Sequence, residues 1–237
     1  MKAILWRDWR IFRTSPFCWG TFALFLTTML LMVAFLTSTP GGGNDAGISD
    51  GLMFAIICAP MTGWSATYST LHTLDANKSM FSESANAAGG EHAGDGTMEL
   101  FRCSGRPMLT YCLAKSLLPM AVAETMTLLI MAYLAWCGLM TAHGTMPIPD
   151  VLFTLVAPLT TAFALEEMLL VIGGGALGMT AGLLVSPVLL TGFVGLCLSL
   201  PLGWAPALAV GFGLAMAALT VALARRRYPD TLRPVRE

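Results

Sequence analysis

The sequence predicts an all-α membrane protein: six spanning helices, an amphipathic interfacial helix at the N-terminus, and a short cytoplasmic helix between spans two and three. Three observations predict it. Hydrophobic residues fill 56% of the 237 positions and charged residues only 11%, against about a quarter charged in an ordinary soluble domain. That is too little charge to cover a water-facing surface, so lipid must cover much of the chain. Apolar runs of about 20 residues recur, the length at which an α-helix crosses a hydrocarbon core roughly 30 Å thick. The third observation is where the basic residues fall between those runs.

Residues 1–16 form the first unit, a short interfacial helix. Leu5, Trp9 and Phe12 share one face at i, i+4, i+7 spacing, while Lys2, Arg7, Arg10 and Arg13 supply cations. Trp beside Arg suits a helix lying in the headgroup layer. Pro16 breaks the helix before the membrane domain, residues 17–224. Its first span, Phe17–Leu36, carries no charge and exceeds the roughly 7–15 residues of a signal-peptide apolar core, so a retained span is expected. The second covers about 51–71 and contains Pro60 and Gly63, which can bend a membrane helix. Residues 72–108 are the one long polar loop, with a small-residue middle from Ser82 to Asp95. The third span lies within 109–139, a run too long for one crossing, with its first turns and Lys115 expected at the inner interface. The fourth covers about 151–172, the fifth 183–200 and the sixth 207–224. Residues 225–237 are a basic tail opening on Arg225, Arg226 and Arg227.

Charge tests this order independently. With both termini inside, all thirteen Lys and Arg fall on the cytoplasmic side or its interface, and the outer loops hold none. Cytoplasmic loops of membrane proteins carry this Lys/Arg excess. Removing any one span would put the N-terminal cations and the Arg triplet on opposite sides.

Few residues carry chemistry. No Walker A sequence is present. Gly173–Gly178 matches G-x-G-x-x-G, but no strand precedes it, so a dinucleotide site is not expected. Gly174, Gly178 and Gly182 recur every fourth residue, which suits close helix packing; a turn that needs glycine is the other reading. The six cysteines and three histidines show no metal-binding spacing. Ionisable groups inside spans are costly and point to function by default. Glu124 is the deepest, and either lines a substrate path or pairs with a polar group of another helix. Glu166 and Glu167 lie towards the inner end of the fourth span. As neighbours they are about 100° apart on a helix and do not form a paired carboxylate site. At least one is expected to reach the headgroups; Glu166 is the second candidate for a translocation path. No catalytic constellation is evident, and the chain is not expected to be an enzyme.

The stretch from Asp95 to Pro107, wedged between two spans, is where a soluble partner could push on the membrane helices. Gly96-Thr-Met-Glu-Leu100, Arg106-Pro107 and Leu113-Ala-Lys-Ser-Leu117 resemble a pattern of type-2 ABC transporter permeases, in which it also lies between the second and third spans. The motif resemblance covers about residues 95–117, and the architecture agrees along the whole chain. It implies a coupling helix that docks on a separate ABC ATPase subunit, with Gly96, Thr97, Glu99, Leu100, Arg102 and Arg106 at or near the contact. It implies that ATP and Mg are bound by that partner and no cofactor by this chain. It also implies a second permease chain, identical or paralogous, in the cytoplasmic (inner) membrane of a prokaryote, and export of a small molecule, lipid or peptide.

Within that superfamily the haem-exporter-type subunit of cytochrome c maturation has a comparable stretch and similar length. A non-transport membrane scaffold or sensor, and an intramembrane enzyme using Glu124 or Glu166, are the readings outside it. The first predicts no ATPase association, and the second predicts turnover without a partner. Nothing in the sequence points to nucleic acid.

Overall fold

A computed structural model of the chain describes residues 2–38, 50–74, 101, 104–136, 148–172, 192–193, 195–196 and 204–227. Among these the elements are helical throughout: α1 (Lys2–Thr14), α2 (Pro16–Ser38), α3 (Asp50–Ser69), α4 (Leu71–Leu74), α5 (Met108–Trp136), α6 (Ile148–Ile172) and α7 (Ala205–Arg227). Three stretches are long and apolar enough to cross a membrane: Leu109–Trp136, Val151–Leu170 and Ala205–Leu223. A fourth results if α1 and α2, bent by 75°, are taken as one broken span. Leu24, Leu31, Leu128, Leu214 and other large apolar side chains face outward from these helices, an outer surface that suits lipid and not water.

The corner between α1 and α2 is written locally. Ser15 precedes Pro16, and its Oγ accepts a bond from the Cys18 backbone N–H at 3.4 Å. Serine at the cap position with proline at the first helical position starts a helix well, because proline's missing N–H is one the first turn cannot use. The indole N–H of Trp19 donates back to the Arg13 carbonyl at 3.2 Å, and Phe12 packs against Trp19 with ring centroids 5.4 Å apart. These contacts hold the turn from the far side.

α6 is the central helix. It packs against α3, α5 and α7, and 61% of its spanning window is buried, against 17% for α7. Small residues allow the approach. A Cβ on Gly63 would lie 2.5 Å from the Pro158 carbonyl oxygen and 2.9 Å from the Ala162 nitrogen. Gly63 therefore seats α3 against the backbone of α6, which is a packing role; the sequence offered it as a bend. On the other side of α6, Gly213 of α7 sits over Thr160.

α3 and α4 bury a run of hydroxyls: Thr62, Ser65, Thr67, Ser69, Thr70 and Thr73. Most bond carbonyls of their own helix one turn back, as Ser69 does to Ser65 and Thr70 to Ala66. A buried hydroxyl satisfied in this way asks nothing of neighbouring helices. Thr62 does reach across, to the Thr127 hydroxyl of α5 at 3.0 Å.

One expectation agrees with the structure here and one changes. Residues 108–136 form one continuous 29-residue helix, about 44 Å long at 1.5 Å per residue and so longer than one crossing needs. Its first turns therefore extend past a 30 Å core as part of the same rod. On α1 the buried stripe is Ile4, Asp8 and Phe12, while Trp9 is exposed. The apolar face inferred from Leu5, Trp9 and Phe12 is rotated by about one residue, because Asp8 faces inward.

Candidate functional site: a buried charge cluster

Asp8 is the acid of a helix otherwise rich in cations, and it is wholly buried. Its Oδ1 accepts a 2.7 Å bond from the Nζ of Lys115 and a 2.8 Å bond from the Arg7 guanidinium. Lys115 Nζ also donates to the Thr73 carbonyl at 2.7 Å, and Arg7 reaches the same oxygen at 3.2 Å. The last carbonyls of a helix have no donor within it. Thr73, one residue from the end of α4, thus presents an acceptor that the two cations fill.

The next residue along α5 continues the cluster. Ser116 donates to Glu167 Oε1 at 2.6 Å, and the Cys112 thiol lies beside the same carboxylate. Glu166 is fully buried, and neither of its carboxylate oxygens has a hydrogen-bond partner among the described residues. Lys115 is the cation acting on it. One node thus gathers side chains from α1, α5 and α6 and a carbonyl from α4. Ile4, Tyr111, Cys112, Ala114 and Leu170 pack around it, with Phe101 laid against them.

The electrostatics are costly. Burial pushes the Asp8 carboxyl above its ordinary range, and Lys115 and then Arg7 pull it back. Removing two charges from water costs several kcal/mol per ion, which their attraction offsets only with good geometry and further hydrogen bonds. Both conditions are met at Lys115, whose Nζ has a carboxylate and a carbonyl at 2.7 Å. Well-packed apolar residues in place of such a pair are often neutral or stabilising, so the pair by itself is weak grounds for stability.

Lys115 lies near the start of α5 with a side chain that is 0% accessible, because α1 folds over it and supplies the counter-ion. One expected placement, that Glu166 or Glu167 reaches the headgroups, is corrected. Neither Glu166 nor Glu167 reaches the surface of the bundle; the hydroxyl of Ser116 and the charge of Lys115 give them an interior environment. Glu124 is separate from this cluster, eight residues beyond Ser116 and so about 12 Å further along α5. It is half-buried, and its Oε2 has no partner among the described residues. Arg106 is exposed, just after Gly105, whose φ of 68° is a left-handed turn that glycine adopts without a Cβ clash. Gly96, Thr97, Glu99, Leu100 and Arg102, and the glycines Gly174, Gly178 and Gly182, lie outside the described residues.

Asp8, Ser116 and Thr73 were not singled out by the sequence. One signal was available. A lysine in an apolar run needs an acid, and Asp8 lies at i+4 from Ile4 and i−4 from Phe12, on the buried face of α1. Among the described residues no group of three or more His, Cys, Asp or Glu side chains is placed to hold a metal. No family model, curated protein or solved structure matches the chain.

Proposed function

We propose that the chain is the membrane-spanning permease subunit of an ATP-driven ABC exporter, with ATP hydrolysed by a separate subunit. In this reading it has six spans and cytoplasmic termini, lies in a prokaryotic inner membrane, and pairs with a second permease chain around a path for a small molecule, lipid or peptide. The coupling segment is Gly96–Arg106, in the long inner loop.

The observation that supports this reading is how the two ends of that loop are anchored. The chain enters the loop from α4, whose Thr73 carbonyl is held by Lys115 and Arg7. It returns at Phe101, whose ring lies 5.5 Å from that of Tyr111, one turn before Lys115 on α5. A force applied to the loop between them meets a rigid node that joins α1, α4, α5 and α6. Conformational coupling travels through such contiguous packed and hydrogen-bonded elements. A permease moved by a soluble ATPase needs this connection, whereas a passive scaffold does not.

The test is affinity purification of the tagged chain from native membranes in gentle detergent, with every co-purifying protein identified. A stoichiometric ATPase carrying a Walker A motif is expected. Recovery of the intact chain alone would overturn the reading.

A further inference from the structure

We propose that the outer face of α1 is a binding surface for anionic phospholipid headgroups. This rests on the chain lying in a bilayer and is independent of the ATPase reading.

At 100° per residue, Lys2, Trp6, Trp9, Arg10 and Arg13 fall within an arc of about 100°. That arc lies opposite the buried stripe of Ile4, Asp8 and Phe12. All five are exposed; Trp6 is 62% and Trp9 50% accessible. The one acid of the helix is on the other side and fully buried, so the outer face of α1 presents three cations and no acid of its own. The Arg10 guanidinium lies over the Trp6 ring, 5.3 Å from its centroid. An arginine held over a ring face by its cation–π attraction can still offer N–H donors at its edge, and a guanidinium can bind phosphate in a bidentate fashion.

The orientation fits the same occupant. The 75° bend turns α1 away from the axis of α2. If α2 runs along the membrane normal, α1 lies close to the plane of the headgroups. Tryptophan half out of the protein and half in contact with it suits that layer, which is apolar on one side and wet on the other. Juxtamembrane cations there are attracted to anionic lipid. A soluble protein partner would also meet the cations, but it gives no reason for two indoles at headgroup level beside a membrane corner.

The surface is mechanically connected. Asp8 is adjacent in sequence to both Arg7 and Trp9, and its carboxylate holds Lys115 on the far side of the helix. Lipid drawn to the outer face therefore bears on the helix that closes the charge cluster.

The test uses the full chain in nanodiscs of phosphatidylcholine mixed with phosphatidylglycerol, followed by native mass spectrometry to count retained lipids. The wild type should retain phosphatidylglycerol in preference to phosphatidylcholine. Arg10→Gln with Arg13→Gln should lower phosphatidylglycerol occupancy by about fivefold or more. Trp6→Ala with Trp9→Ala, which keeps every charge, should lower it by a smaller factor. A charge-matched control, Arg226→Gln with Arg227→Gln, should leave most of the occupancy in place. Equal loss in the control and in the α1 variant, or no loss in the α1 variant, overturns the proposal and leaves a protein partner as the occupant of this face.

Discussion

The Lys115 ammonium and the Asp8 carboxylate are 2.7 Å apart across 107 positions of sequence, and neither side chain is accessible to solvent. The contact fixes α1 across the first turns of α5. Lys115→Met leaves the buried Asp8 carboxylate with Arg7 as its one cation among the described residues. Removing one partner of a buried pair costs about 3–5 kcal/mol; with Arg7 in place the loss should fall at or below the lower end of that range. The double variant Asp8→Leu, Lys115→Met removes both charges and should recover most of that loss. Thermal unfolding of the four proteins in one detergent gives the coupling energy. Strict additivity would mean that the two groups do not interact as described.

How far this node was legible in the sequence follows from its parts. The long helices could be read because each is an apolar run legible by itself: α2, α6 and α7 fall within a few residues of their expected bounds. Lys115 was visible as a cation close to an apolar run, but its partner was not. Pairing residues 8 and 115 depends on α1 folding back at Ser15-Pro16 and on which face of α1 turns inward. That face is set by Ile4 and Phe12 finding places among α5 and α6 residues, a tertiary outcome that the pattern of α1 alone leaves open by a residue. Glu167 was misplaced for a similar reason. Its hydrogen-bond donor, Ser116, is an ordinary polar residue in a run of leucines, and only the packing of α5 on α6 brings the two within 2.6 Å.

Gly63 tests the packing of α3 on α6. Its added Cβ would meet backbone atoms of Pro158 and Ala162, which cannot rotate away as a side-chain end can. Gly63→Ala should destabilise by about 1–3 kcal/mol, the cost of overpacking a fitted interface. Gly211→Ala, at a helical glycine with open space around it, should be neutral or slightly stabilising, because alanine favours helix by up to about 1 kcal/mol. Equal thermal shifts in the two variants would show that the close approach carries no weight.

Ser116→Ala removes the described hydroxyl donor to Glu167 and leaves a buried carboxylate with an unmet acceptor. The expected loss is about 1–3 kcal/mol. Ser116→Thr keeps the hydroxyl and should restore most of the stability. If alanine and threonine behave alike in thermal unfolding, the 2.6 Å bond is not what holds α5 to α6 at this level.

Glu124 stands apart from the cluster and is half-buried, so its substitution should separate transport from assembly. Glu124→Gln keeps the shape and removes the charge. Under the proposed function it should change transport while the ATPase still co-purifies in the same ratio. Transport unaltered for every substrate tried would assign the carboxylate a purely structural role.

The anchoring of the segment between α4 and α5 yields the sharpest functional contrast, because under the proposed function its contact with the ATPase and its contact with the bundle involve different residues. Glu99 belongs to the proposed docking segment, and reversing its charge should weaken association, since like charges at an interface are strongly disfavoured. Glu99→Arg should therefore lose both the co-purifying ATPase and transport, with membrane insertion intact. Phe101 instead faces the bundle, its ring against Tyr111 and the apolar shell of the charge cluster. Phe101→Ala should leave the ATPase bound. It loosens the joint by about 0.5–1.5 kcal/mol, enough to reduce transport per ATP hydrolysed several-fold. Reconstituted complexes assayed for both ATP hydrolysis and transport distinguish the two variants. Identical behaviour, either full loss of binding or full retention of coupling, would mean that the loop does not transmit force through Phe101 to Lys115.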